Sequence, residues 1–278
     1  EGLITEKTVG IIPVHLFGLC AEIAHVLDLA EKYGLWIVED AACALGSFYQ
    51  GKHAGTFGDV GCFSFHPRKS ITTGEGGMLT VADAEVSRRC DAFRNHGAVM
   101  PPQEPGQEQT RVHASYSIAG LNYRLSDIQA ALGNAQLDRL DFLMSERNRC
   151  AEYYQRHLSG LDWLRLPATP EHMTHGWQSY VTLMATDPPT LQNVERLHAE
   201  RNRLMVYLQE CGIATRPGTH APAHLEYFAG KYEISPEDFP KSYLAERLSM
   251  ALPLFPGMTE EQLAHVVTQI HSYEQVSV

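Results

Sequence analysis

The stretch that decides the fold is residues 62–81, CFSFHPRKSITTGEGGMLTV, where an aromatic, strand-like run leads to one lysine, Lys69, then to a glycine-rich bend and a second apolar run. Gly61 to Phe65 and Gly77 to Val81 have the composition of strands, with turn-forming residues between them. Gly74, Gly76 and Gly77 permit close backbone approach to another group. Alone, Lys69 reads as a solvated charge, because a free lysine, with a pKa of ~10.4, is a poor nucleophile at neutral pH. Burial or cationic neighbours lower such a pKa and allow a Schiff base.

Upstream, Val9 to Leu16 is a β-type apolar run, and AEIAHVLDLAEKYG places Ile23, Val26, Leu27 and Ala30 at helical spacing. LWIVEDA follows, so the three pieces predict a βαβ unit with parallel strands. Runs that are apolar throughout predict strands covered on both faces. Glu39 and Asp40 end the second strand, and ligands of open α/β sheets gather at the carboxyl ends of strands. The plainer reading of that pair is a carboxylate capping the following turn. Ser64 ends the next strand, five residues before Lys69.

Downstream, Ser126 is the N-cap of a long helix, or of two in succession, reaching Leu158. Beyond it the expected elements are a strand at Gln178 to Ala185, a helix from about Thr190 to Cys211, a short strand around Ile213, and helices near Lys241 to Met250 and Thr259 to Tyr273. The predicted division is 1–140, an α/β domain, and 141–278, a smaller α+β domain.

Of the 278 residues, 44% are hydrophobic and 20% charged, an ordinary globular composition. A net charge of -11 argues against a nucleic-acid or anionic-membrane partner, which needs local basic excess. Six cysteines without CxxC pairs fit a reducing cytoplasm rather than a disulfide framework. The sequence shows neither a membrane span nor a basic-then-apolar leader.

The ordered blocks EDAACALGS, GTFGDVGCFSFHPRK, TTGEGGMLTV, RNHG, GLNYRLSDIQAALG and GIATRPGTHAPAH resemble the DegT/StrS sugar aminotransferases over nearly the whole chain. The resemblance implies the pyridoxal 5'-phosphate-dependent fold type I, a mostly parallel sheet that is incomplete on its N-terminal side. It also implies transfer of an amino group, usually from glutamate, to a nucleotide-diphosphate-linked keto sugar in a homodimer with shared sites. Such amino sugars serve cell-surface polysaccharides or secondary metabolites.

Residue by residue, Lys69 corresponds to the lysine of the internal aldimine and proton shuttle, Asp40 to the partner of the pyridine nitrogen, and Ser64 to a phosphate-binding hydroxyl. Ala42 and Cys43 fall in the cofactor-binding block. In GLNYRLSD, Asn122 and Arg124 both stand near the position that reaches the phosphate of the neighbouring subunit; helix-entry polarity is their other reading. Arg216, His220 and His224 are the substrate candidates. Pro222 breaks the helical spacing that His220 and His224 would need as a metal pair, so no metal is expected. Lysine rather than histidine at position 69 separates the chain from the family's dehydratase branch.

Cys43 stands where the family commonly has a glutamine that contacts the cofactor's phenolic oxygen, and a thiol is a weaker hydrogen-bond partner. The family's phosphate-gripping turn and ring-stacking aromatic have no counterpart before Glu1, so the chain is expected to be a piece of a longer enzyme. The rival expectation is a regulatory or structural relative with the same fold and impaired catalysis.

Overall fold

A computed structural model describes residues 1–99 and 114–276, and these fall into two compact units. The first contains residues 1–140 and 172–174; the second contains 141–171 and 175–278.

In the first unit the chain runs β1 (Gly10–Ile11), α1 (Ile23–Tyr33), β2 (Trp36–Asp40), β3 (Phe48–Tyr49), β4 (Lys52–His53), β5 (Val60–Ser64) and β6 (Gly77–Val81). There follow α2 (Ala84–Arg94), β7 (Ala98–Val99), β8 (Ser115–Tyr116) and α3 (Asp127–Leu137). The main sheet has the order β1-β2-β5-β6; the first two pairings are parallel and β5–β6 is antiparallel. The expected βαβ unit is therefore present, but its first strand is shorter than the apolar run. Only Gly10 and Ile11 pair with β2 as a ladder, and Val14 makes an isolated parallel bridge to Asp40.

Ile23 and Ala30 of α1 are buried, and the helix stops where Gly34 takes a left-handed conformation (φ 64°) and closes onto the carbonyl of Ala30. The expectation of strands covered on both faces fails at β6, whose consecutive residues Met78 and Leu79 are both about half exposed. Successive strand residues point to opposite faces, so neither face of β6 is closed by the described residues of this unit. The sheet is mixed because the bend in Thr72–Gly76 returns the chain directly beside β5, where a parallel strand would need a long crossover.

Ser126 caps α3 through a reciprocal capping box with Gln129. Gln129 Nε2 then donates to the carbonyl of Glu75 and Gln136 Nε2 to that of Thr72, so α3 docks on the bend after Lys69.

The second unit begins within α4 (Leu140–Leu158) and continues through β9 (Leu164–Arg165). The next strand, β10 (Met173–Thr174), pairs with β3 and belongs to the first unit. The second unit then has β11 (Tyr180–Met184), α5 (Val194–Glu210), β12 (Arg216–Pro217), α6 (Glu226–Tyr232), α7 (Pro240–Leu248), β13 (Ser249–Leu252) and α8 (Glu260–Val276). Its antiparallel sheet has the order β12-β13-β11-β9. Tyr154 and Leu158 of α4, Tyr180 of β11, Leu204 and Leu208 of α5, and Leu263 and Ile270 of α8 form its core.

Two expectations shift here. Ile213 is not in a strand; it is a buried residue of the turn after α5, its amide bonded to Leu208, and the strand comes at Arg216–Pro217. The helix expected to reach Met250 stops at Leu248, and Ser249–Leu252 forms a strand central to the sheet.

Candidate active site

Asp40 ends β2 and Ser64 ends β5, and these strands are parallel neighbours, with Asp40 opposite Cys62. Both carboxyl termini therefore open on one edge of the sheet. Beyond β5 the chain turns at His66–Lys69, closed by the Lys69 amide donating to the His66 carbonyl. The turn brings Lys69 back over the loop that follows β2, where its Nζ lies 3.1 Å from Cys43 Sγ. Asp40, Ala42, Cys43, Ser64 and Lys69, a scattered set in sequence, thus share one sheet edge, and all five are half-buried.

The donor set is the right chemistry for pyridoxal phosphate. Asp40 Oδ1 accepts the Ala42 amide at 3.1 Å, which fixes a carboxylate that can pair with a ring nitrogen. Ser64 Oγ accepts the His66 amide at 3.3 Å, leaving its own hydrogen to donate to phosphate. The hydroxyl of Ser70, next to Lys69, is buried with no hydrogen-bond partner among the described residues. Such an orphan at a sheet edge is expected where a polar ligand completes the site.

The bend after Lys69 is secured by Thr72 Oγ1 donating to the Phe65 carbonyl and Thr73 Oγ1 donating to that of Glu75. Gly74 and Gly76 take positive φ, 82° and 156°, which a side chain would resist.

Asn122 and Arg124 precede α3 and are both exposed; Arg124 Nε donates to Asn122 Oδ1 at 3.1 Å. Their segment is held against RNHG: the amides of Leu121 and Tyr123 donate to the carbonyls of Phe93 and Arg94, and the His96 amide donates to Leu121. The two backbones touch. A Cβ on Gly120 would lie 2.0 Å from the Gly97 nitrogen, and one on Gly97 would lie 2.0 Å from the Ile118 carbonyl oxygen. The RNHG block is thus the support on which GLNYRLSD rests.

Arg216, His220 and His224 belong to the second unit. Arg216 is exposed at the edge strand β12, His220 faces Glu246 at 3.7 Å, and the half-buried His224 packs edge-on to Tyr243. No group of three or more residues suited to metal binding exists among the described residues.

His15 carries no role in the sequence pattern, and Glu39, with Asp40, is expected there as a strand-end carboxylate facing a ligand or capping the following turn. Both are completely buried. Glu39 Oε2 accepts from His15 Nε2 at 2.8 Å and from the Gly55 amide at 2.7 Å; Oε1 accepts from Phe57 at 2.6 Å and Gly58 at 2.7 Å. Burial pushes this carboxyl upward, but the bonds from His15 and from Gly58, Gly55 and Phe57 outweigh it and hold the pKa below the usual glutamate value. The signal in sequence was a histidine in the apolar run PVHLFG, where an unpaired polar group would be costly.

The DegT/DnrJ/EryC1/StrS aminotransferase family matches residues 1–271. A UDP-N-acetyl-3-dehydro-α-D-glucosamine 3-aminotransferase of Acidithiobacillus ferrooxidans is 36% identical over 97% of this chain and 66% of its own length. A GDP-perosamine synthase of Escherichia coli O157:H7 is 32% identical, over 98% of this chain and 68% of its own. Among solved structures, Helicobacter pylori PseC, an aminotransferase involved in the biosynthesis of pseudaminic acid, superposes with a TM-score of 0.86 at 25% identity, over 98% of this chain and 68% of its own. The chain spans about two thirds of the length of the relatives it matches. By its sequence, and by its likeness to solved fold type I enzymes, the chain belongs to the DegT/DnrJ/EryC1/StrS aminotransferase family of pyridoxal-phosphate-dependent sugar aminotransferases.

Proposed function

We propose that the protein transfers an amino group from glutamate to a keto sugar carried on a nucleotide diphosphate, working as a cytoplasmic homodimer with sites shared across the interface. The reading rests on the family match and on one observation: Lys69, Asp40 and Ser64 meet at the carboxyl edge of two neighbouring parallel strands.

Pyridoxal 5'-phosphate, when bound, supplies the carbonyl that carries the amino group and a ring that accepts electrons. Lys69 would hold the cofactor through its amine and would serve, beside the reacting carbon, as the base that moves the proton. Asp40 holds a proton on the pyridine nitrogen. Ser64 binds phosphate, Ala42 and Cys43 line the ring's surroundings, and Asn122 or Arg124 reaches the phosphate of the neighbouring subunit. Arg216, His220 and His224 contact the substrate. Two relatives whose names specify UDP- and GDP-linked sugars support the substrate class. The six free cysteines fit a reducing compartment.

The experiment is visible absorbance on adding glutamate to the purified, cofactor-loaded protein. A spectral shift that is lost in Lys69→Ala supports transamination, and absence of any cofactor band in the wild type refutes it. Cys43 at the usual glutamine position favours a second reading, a non-catalytic relative, which gains if glutamate leaves a bound cofactor's spectrum unchanged.

A further inference from the structure

We propose that His15 and Glu39 are positioning residues that set the aim of the Asp40 carboxylate; the inference rests on the reading of Asp40 as the cofactor's partner. Adjacent strand residues point to opposite faces, so Glu39 turns away from the edge that Asp40 lines. The two side chains are nonetheless coupled, because any rotation of the strand end that slackens one swings the other.

Glu39 makes that rotation costly. Its two oxygens take four hydrogen bonds, three from main-chain amides in the loop at residues 55–58. The loop has no room to give. A Cβ on Gly55, at φ 83°, would strike Phe63 at 2.6 Å and Ala41 at 2.8 Å, and one on Gly58 would strike Ile37 at 2.6 Å.

The fourth donor is His15. Its Nδ1 accepts the Ala21 amide at 3.0 Å, so the ring proton sits on Nε2 and is donated to Glu39. Its own amide donates to the Asp40 carbonyl at 3.0 Å, and the Asp40 amide donates to Pro13 at 2.9 Å. One buried residue thus holds Glu39 by its side chain and Asp40 by its main chain. This is the arrangement by which a supporting layer of hydrogen bonds fixes a functional group within the tolerance that chemistry needs.

The test is the visible circular dichroism of pyridoxal phosphate bound to the purified protein, divided by its absorbance, with hydrogen exchange of the Asp40 amide as a readout that needs no cofactor. Glu39→Gln and His15→Ala are expected to lower the dichroism ratio to about half or less and to speed exchange at Asp40. His15→Gln keeps a donor and is expected to retain more of both than His15→Ala. Thermal melting shows which variants fold, and where Glu39→Gln does not, the two His15 variants carry the comparison.

An unchanged ratio in the folded variants, with lowered stability alone, overturns the proposal. Failure of both Glu39→Gln and His15→Ala to fold also overturns it, by making the pair a requirement of the fold itself. Absence of cofactor on wild-type Lys69 would instead refute the proposed function, so the two failures are distinguishable.

Discussion

Lys69 Nζ lies 3.1 Å from Cys43 Sγ, a contact that joins the loop after β5 to the loop after β2. If this is the cofactor's floor, bound pyridoxal phosphate covers the thiol. Alkylation of Cys43 by iodoacetamide, followed by peptide mass spectrometry, is therefore expected to slow when the cofactor is added. Cys20 is the internal control: burial first, then the charges of Glu39 and Glu22, push its thiol up to about 12, so it stays unlabelled in both states. Equal labelling of Cys43 with and without cofactor would contradict the placement.

Ser64 is proposed to bind the phosphate. A hydrogen bond to a charged group contributes about 1.5–3 kcal/mol, so Ser64→Ala is expected to weaken pyridoxal phosphate binding about ten- to a hundredfold. Pyridoxal, which lacks the phosphate, should bind the variant as it binds the wild type. A parallel loss for both ligands would place Ser64 elsewhere in the site.

Gly97 and Gly120 let two backbones touch, and Gly97 also takes φ 82°. Gly97→Ala forces a Cβ against the Ile118 carbonyl, and overpacking of this kind costs about 1–3 kcal/mol. The melting temperature should fall, and any site contact made by Asn122 or Arg124 should weaken with it. A variant as stable as the wild type would show that the crossing relaxes freely.

Glu39 gives a pH dependence with a definite sign. Its folded-state pKa lies below the unfolded value of ~4.3, so the carboxylate's stabilisation is complete above that value and is lost as pH falls through the lower, folded-state pKa. The urea midpoint of the wild type should drop as pH falls below about 4.3, and Glu39→Gln should lose this part of the drop. An identical drop in both proteins would assign the acid sensitivity to other carboxylates.

Much of the main sheet was legible because its elements are punctuated. AEIAHVLDLAEKYG has helical spacing and ends in glycine, Ser126 is followed by Gln129, and LWIVED is a continuous apolar run with an abrupt acidic end. What escaped lay where tertiary context decides. Val9 to Leu16 reads as one strand, yet only Gly10 and Ile11 make the ladder: Pro13 has no amide to donate, and the register resumes only where Val14 bridges Asp40, through the Pro13 carbonyl and the His15 amide. Ser249–Leu252 continues straight from α7 with no breaker, and its pairing with β11 and β12 supplies what its four residues do not signal.

The site divides in the same way. Lys69, Asp40 and Ser64 stand out in the sequence as candidates because residue type, strand ends and ordered blocks agree. The pairing of His15 with Glu39 does not, since a buried hydrogen-bond partner is fixed by distance in space, and 24 residues separate the two. The bond that Cys43 makes to Lys69 likewise depends on how two loops meet.

The central claim is that Lys69 is the residue to which the cofactor is bonded. Borohydride reduction of the purified protein incubated with pyridoxal phosphate, followed by peptide mass spectrometry, tests it directly. The account predicts a stable adduct on the peptide containing Lys69 that is absent in Lys69→Ala. An adduct found only on other lysines, or none at all, would contradict it.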